Sequence, residues 1–321
     1  MNVRLAVIGL LLAAFLDGES SLLVLSKAER TLAIVNPSNL KVMARVPVGP
    51  DPHEVIASSD GKVAFVSNYG GGAGGYNTLA VIDLVEYKAL PSVDLGALRA
   101  PHGLMFAGGK VWFTAEAAKV IGSYDPVTKK VDLILGTGQN GTHMIYVTED
   151  LKRIVTSNIG SGTMTFIDKT NANWDATVVP VGRRAEGFDV TPDGKELWAA
   201  NAQDGTISII DMATKKVTQT LSASVEGANR LKFTPDGKLV FVSTLRGTDV
   251  SIFDAATRAL KKHVKIGSGA AGIQMQPDGA RVFVACTPDS YVAVLDLKAL
   301  EVTSRLDAGK NPDGMAWAVR Q

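Results

Sequence analysis

Three of the four histidines in this chain, His53, His102 and His143, share a local sequence context, and their side chains could act together. Each one follows Pro or Thr at the start of a short run in which apolar and polar residues alternate. Neutral imidazoles are common ligands of Zn²⁺ and similar divalent ions, and they also exchange protons near neutral pH. The sequence therefore predicts a site that contains all three.

Two glutamates accompany these histidines. Glu116 follows His102 in the same stretch of chain, and Glu186 occupies the position that corresponds to His143 in the next stretch. Together with His53, His102 and His143, Glu186 would make a donor set for Zn²⁺ or another first-row ion, with positions left open for water or substrate. Without a metal, His102, Glu116 and Glu186 are the predicted catalytic acid and base residues.

The residues predicted to contact a ligand lie next to these positions. Arg230 would bind the carboxylate or phosphate of a small anionic molecule, and Arg183, Arg184 and Arg246 would add positive charge on the same side. The glycine-rich segment 69–77 is a candidate lid, although an insertion without a role is an open alternative. The predicted ligand-contacting residues are Glu54, Asn68, Tyr69, Tyr76, Asn158 and Arg230.

Common positions for these side chains arise because the chain repeats itself at a spacing of roughly forty residues. In residues 185–223, short alternating apolar runs are separated by turns such as Asp193-Gly194, which predicts a four-stranded antiparallel meander. Six complete units follow one another, and residues 22–48 together with residues 312–319 supply a seventh. The predicted fold is all-β: a seven-bladed β-propeller whose C-terminal strand closes the ring by pairing with the N-terminal blade.

In such a blade, the start of the first strand and the end of the second strand meet at one mouth of the central channel. The first-strand positions at this mouth are Asp313, His53, His102, His143, Glu186, Asn229 and Ala271. The predicted second-strand positions are Ser26, Asn68, Glu116, Asn158, Asn201, Thr244 and Cys286. Hydrogen bonding between loops is the alternative role for such residues, but a structural role would recur in most blades. Three histidines in consecutive blades favour a one-sided functional site.

The repeats resemble the YVTN-repeat β-propellers. The resemblance rests on the TPDGK turns at Thr191 and Thr234, on VSN at Val66–Asn68 and on VIDL at Val81–Leu84, and it extends over almost all of the chain after residue 20. It implies the propeller fold and a distant relation to lactonases. It does not imply one function, because binding proteins and enzymes share this fold.

The N-terminal residues and the composition indicate the compartment. Arg4, the apolar run 5–16 and the small residues Gly18 and Ser20 predict a signal peptide over residues 1–20 and a propeller over residues 21–321. An uncleaved anchor is the alternative. We expect a periplasmic or secreted monomer with no membrane span in the mature chain. The net charge of +1 argues against nucleic-acid binding, and a single cysteine excludes an internal disulfide.

Two functions from different classes remain open at this point. The first is an enzyme that hydrolyses a small anionic molecule, or eliminates a group from it, in the channel mouth. The second is a non-catalytic propeller that binds a small ligand, a cell-wall component or a protein partner. A haem-associated role is a third possibility, but covalent haem is excluded because no Cys-x-x-Cys-His motif occurs.

Overall fold

The chain folds into seven four-stranded antiparallel sheets, which confirms the predicted all-β propeller. The structure, a computed structural model, describes residues 20–71, 74–223 and 225–320. The secondary structure of these residues consists of strands and turns. Across the same three ranges, no helix is long and apolar enough to cross a membrane.

Each sheet is a blade in which the first strand lies at the channel and the fourth strand lies at the rim. The first strands are β28 (Pro312–Val319), β4 (Pro52–Ala57), β8 (Pro101–Ala107), β12 (Thr142–Val147), β16 (Ala185–Val190), β20 (Ala228–Phe233) and β24 (Ala270–Met275). The second strands are β1 (Ser20–Ser26), β5 (Val63–Asn68), β9 (Lys110–Ala115), β13 (Arg153–Asn158), β17 (Glu196–Asn201), β21 (Leu239–Thr244) and β25 (Arg281–Cys286). The third strands are β2 (Thr31–Asn36), β6 (Thr78–Asp83), β10 (Val120–Asp125), β14 (Thr163–Thr170), β18 (Thr206–Asp211), β22 (Asp249–Asp254) and β26 (Tyr291–Asp296). The fourth strands are β3 (Lys41–Pro47), β7 (Lys88–Asp94), β11 (Lys130–Gly136), β15 (Asn173–Pro180), β19 (Lys216–Ser222), β23 (Leu260–Lys265) and β27 (Glu301–Leu306).

The ring is closed by the pairing of β28 with β1 in the first blade. Every first strand contacts the first strands of both neighbouring blades, so the seven strands surround one channel. Ser20, which the sequence assigned to the leader, already pairs with Val319 at the start of β1. The predicted leader otherwise falls on residues 1–19, which lie outside the described residues, and it stays a prediction.

The core lies between the blades because both faces of the inner strands are covered. Leu22–Leu25 in β1 have no exposed surface, and Trp198 in β17 packs edge-on against Phe233 of the next blade. The turns after the third strands are closed by aspartates, as the sequence predicts. The carboxylate of Asp83, for example, accepts hydrogen bonds from the two backbone amides that follow the strand.

Glycines let the first strands approach one another closely below the mouth. A Cβ atom at any of four glycines would lie 2.3 to 2.5 Å from a backbone carbonyl oxygen of the next blade; these glycines are Gly103, Gly187, Gly272 and Gly314. This level of the channel therefore leaves room for few side chains. Glu54 of β4 and Arg230 of β20 project there from opposite parts of the ring.

Candidate functional site

The mouth of the channel brings together the three histidines that the sequence selected. His53, His102 and His143 each occupy the second residue of a first strand, and they line one cavity of about 350 Å³. The ring centroids of His53 and His102 are 4.6 Å apart, and those of His102 and His143 are 3.7 Å apart with an interplanar angle of 31°. The imidazoles therefore form a row of tilted rings in contact, with an interplanar angle of 56° between His53 and His102.

His143 lies between the two predicted carboxylates. Its Nδ1 donates a short hydrogen bond to Oε1 of Glu116, and its Nε2 lies 3.2 Å from Oε1 of Glu186. The second contact is close enough for an ion pair but lacks hydrogen-bond geometry. Burial alone would lower the pKa of His143, but the hydrogen bond to Glu116 and the charges of Glu116 and Glu186 outweigh burial and raise this pKa to about 9. His143 is therefore an imidazolium at neutral pH.

His102 has the opposite protonation state. The residue is 1% exposed, and its Nδ1 is buried without a hydrogen-bond partner. Burial, followed by the charges of His143 and His53, holds the pKa of His102 well below its usual value. A neutral imidazole thus stacks directly on a charged one.

Lys27, which the sequence analysis missed, is a cation that contacts His53 on the side away from His102. Its Nζ lies 2.6 Å from Nδ1 of His53, 3.1 Å from Asp51 and 3.4 Å from Asp313. Lys27 is the first residue after its second strand, at the position that Tyr69 holds in the next blade. A comparison of these loop positions in the sequence would have found it.

Comparing the ends of the second strands in this way also corrects the predicted position of Glu116. The sequence placed Glu116 at the end of a second strand, but β9 ends at Ala115, which pairs with Pro101. Glu116 is therefore the first loop residue, as Lys27 and Tyr69 are in their blades. The error arose because the blade containing Glu116 has a shorter turn between its first two strands, Gly108-Gly109, than the Asp-Gly repeats.

Tyr69 extends the series of hydrogen bonds that begins with His143 and Glu116. Its hydroxyl donates a short hydrogen bond to Oε2 of Glu116, and its ring packs against His53 and His102. Burial and the Glu116 carboxylate raise the pKa of Tyr69. Tyr76, also predicted to contact a ligand, is 44% exposed, and its ring lies over Gly70 instead of lining the mouth cavity.

An ion pair forms the floor of the mouth. Nη2 of Arg230 donates a short hydrogen bond to Oε1 of Glu54 across the channel, while Nη1 of Arg230 is buried without a partner. Burial alone would lower the pKa of Arg230, but the charge of Glu54 raises it. Below this pair lies a second cavity of about 380 Å³, which shares with the mouth cavity only Arg230 among the described lining residues.

Two predicted ligand-contacting residues lie away from the mouth cavity. The side-chain amide of Asn68 donates to Thr78, and that of Asn158 donates to Thr163 and Thr165. Both asparagines are buried within their own blades and are absent from the cavity lining. Their contacts tie the second strand to the third strand, so the structure gives them an architectural role.

The rim arginines do not make one side of the mouth cationic, as the sequence analysis expected, because each has an acidic neighbour. Arg183 contacts Asp204 at 2.6 Å, and Arg246 contacts Glu226 at 2.8 Å. The half-exposed Arg184 lies 3.6 Å from the carboxylate of Glu186. Their charges are largely compensated.

The three imidazoles do not fit a shared divalent-metal site. Both nitrogens of His143 face carboxylates, Nδ1 of His102 is enclosed, and Nδ1 of His53 faces Lys27. Three ligands of one ion must direct free lone pairs at a common point, and imidazoles whose nitrogens face other partners do not do so. Within the described ranges, no group of three or more His, Cys, Asp or Glu residues has an arrangement suited to a metal ion. We derive no step through a metal or a haem.

Comparison with known protein families gives one partial match. The Cytochrome D1 heme domain family matches residues 136–279, less than half of the chain. This segment contains His143, Glu186 and Arg230 but not His53 or His102. A comparison with curated proteins finds no match.

Solved structures share the fold at low sequence identity. The hydrazine synthase of Kuenenia stuttgartiensis superposes with a TM-score of 0.76 at 18% identity, covering 87% of this chain and 93% of the other. A putative 6-phosphogluconolactonase from Bacteroides uniformis gives 0.74 at 14% identity, with 93% and 99% covered. The dihydro-heme d1 dehydrogenase NirN, solved in complex with DHE, gives 0.65 at 13% identity, with 89% and 63% covered. At these identities, the likeness establishes the propeller fold alone.

Proposed function

We propose that the mouth is an acid–base catalytic site that acts on a small molecule. The observation that carries the proposal is the stacking of neutral His102 on the His143 imidazolium at a centroid distance of 3.7 Å. Adjacent titratable groups with pKa values pushed in opposite directions are typical of paired acid and base residues. Similarity to structures described as enzymes, including a putative lactonase, is compatible with this proposal.

Each residue has a distinct role in this proposal. His102 takes a proton from the substrate, since it is uncharged and lines the cavity. His143 stabilises the negative charge that develops or returns a proton, because it is an imidazolium that lines the same cavity. Glu116 orients His143 through Nδ1, and Tyr69 in turn orients Glu116. Hydrolysis and elimination are the reaction classes that such a pair supports.

A non-catalytic binding site is the second candidate. Tyr69, Glu116 and His143 already satisfy one another by hydrogen bonds, as the residues of a rigid scaffold would. An extracytoplasmic location rests on the predicted signal peptide, residues 1–20, and is part of the proposal for both candidates. Metal-assisted catalysis is the less favoured form of the enzyme, since the imidazole nitrogens have other partners.

Comparison of His102→Asn with the unaltered protein on a panel of esters, lactones and hydroxy acids separates the candidates. For any compound that the protein turns over, we expect the variant to lose about 10²- to 10⁴-fold in kcat, which is the usual contribution of general acid–base catalysis. The matched control is His263→Asn, on the fourth strand β23, which should retain full activity. An unchanged rate in His102→Asn would refute the assignment. Binding at the mouth without turnover of any compound would favour the second candidate.

A further inference from the structure

The charges around the mouth are unbalanced towards negative. The cluster of charged side chains at the mouth includes three largely buried cations, Lys27, His143 and Arg230. The carboxylates that contact these three cations are Asp51, Glu54, Glu116, Glu186 and Asp313. Five negative charges thus face these three positive ones and a fourth, Arg184, which lies 3.6 Å from Glu186 but is half exposed to solvent, so that its charge is screened. A further anion would be repelled by this cluster.

Two of these carboxylates, Glu186 and Asp313, lie at the two ends of the half of the mouth that contains no imidazole. Going round the ring, Glu186, Asn229, Ala271 and Asp313 occupy four successive positions at the mouth, and all of them line the cavity. Asn229 and Ala271 are uncharged and short. A ligand in this half would therefore lie between two carboxylates, with the imidazole row opposite.

Unpartnered buried atoms in the same cavity lining indicate what such a ligand carries. The side chain of Glu186 is 8% exposed, yet its Oε2 has no hydrogen-bond donor, since Nη2 of the half-exposed Arg184 lies 3.6 Å away. At the floor, Nη1 of Arg230 has no acceptor. Buried polar groups without partners are uncommon, and these two call for opposite partners, namely a donor at Glu186 and an acceptor oxygen at Arg230.

We infer that the mouth binds a small molecule that carries a protonated amine next to a carbonyl, carboxyl or hydroxyl oxygen. The ammonium group lies on the side of Glu186 and Asp313, and the oxygen points to Arg230. This ligand class replaces the anionic molecule expected from the sequence, because the arginines that suggested an anion all have acidic partners. The inference deepens the proposed function, since the amine would be its substrate, but binding itself does not require catalysis.

Three amides of similar size test the inference: glycinamide, propionamide and oxamate. Each compound carries a primary amide; the other end is an ammonium group in glycinamide, a methyl group in propionamide and a carboxylate in oxamate. Isothermal titration at neutral pH should give glycinamide an affinity at least about ten-fold higher than propionamide, with oxamate the weakest, because an ion pair with a buried carboxylate favours the ammonium. Tighter binding of oxamate, or no binding of glycinamide in the millimolar range, would overturn the inference.

Site variants locate the interaction. Glu186→Gln keeps the size of the side chain and should abolish the preference for glycinamide, and Asp313→Asn should weaken it if Glu186→Gln does not fold. Glu226→Gln removes a carboxylate outside the cavity lining and should leave the preference intact. If the preference survives in both cavity variants, the inference is wrong.

His102→Asn distinguishes this inference from the proposed function. In this variant turnover should fall while the preference for glycinamide over propionamide is retained, because that preference depends on the Glu186 and Asp313 carboxylates. If amine binding fails while turnover of another compound depends on His102, the ligand class is wrong and the catalytic proposal stands. If amines bind but no compound is turned over, the ligand class stands and the catalytic proposal fails.

Discussion

Protonation of His143 should make the stability of the propeller depend on pH. The pKa of His143 is raised to about 9 in the folded chain, against 6.5 for an unperturbed histidine. A raised pKa means that the folded state holds the proton more tightly. The resulting stabilisation is therefore complete below about pH 6.5 and is lost as the pH rises through about 9. Since one pKa unit corresponds to about 1.4 kcal/mol, the loss amounts to about 3 kcal/mol of the free energy of unfolding.

Urea unfolding between pH 6 and pH 10, in about half-unit steps, measures this effect. The variant His143→Gln removes the titrating group, so the stability difference between it and the unaltered protein should shrink by about 3 kcal/mol across this range. The matched control His263→Gln lies on β23 and should keep the pH dependence of the unaltered protein. A stability difference that stays constant from pH 6 to pH 10 would refute the ion-pair account of His143.

Nitrogen NMR of the imidazoles checks the same reasoning at the level of single residues. With four histidines in the chain, the signals can be assigned by one substitution each. At pH 7, His143 should show both ring nitrogens protonated, and His102 should show the pattern of a neutral ring. Titration of both rings near pH 6.5 would mean that neither burial nor the carboxylates act as described.

Three further changes test the packing and the contacts around the mouth. Gly272→Ala should destabilise the fold by about 1–3 kcal/mol, because its Cβ would overlap a backbone carbonyl of the next blade, whereas Gly136→Ala, with open space around it, should be nearly neutral in thermal unfolding. Arg230→Met should cost about 3–5 kcal/mol by leaving the Glu54 carboxylate uncompensated. Addition of Glu54→Gln should recover much of this loss in urea unfolding, and a single variant within about 1 kcal/mol of the unaltered protein would contradict the pairing. Tyr69→Phe removes a donor from the carboxylate that holds His143, so the NMR titration midpoint of that histidine should rise, and a fall would count against the hydrogen-bonded chain.

The sequence predicted the fold because the repeat specifies it locally in every blade. Alternating apolar residues and Asp-Gly turns recur, so an error in one unit is corrected by the others. The closure by residues 312–319 followed from the missing first strand of the N-terminal unit, and the pairing of β28 with β1 confirms it. The same alignment brought His53, His102 and His143 to one mouth.

The contacts within the site were harder to predict, because they depend on distances between blades that no repeat encodes. Lys27 was missed since its side chain reaches His53 from the loop of a different blade. The pairing of Arg230 with Glu54 joins residues on opposite parts of the ring, so the sequence treated Arg230 as free to bind an anion. Asn68 looked similar to a mouth residue by position, but its amide turns towards Thr78 in its own blade.

Ring closure also determines when the mouth can first exist during synthesis. β28 lies at the opposite end of the described chain from its partner β1, and it supplies Asp313 at the cavity and Gly314 beneath it. Until this strand docks on β1, one wall of the mouth is missing, and the first and seventh blades lack their shared inner contact. A nascent chain in which β28 has not yet been made therefore lacks both this wall and the pairing that closes the ring.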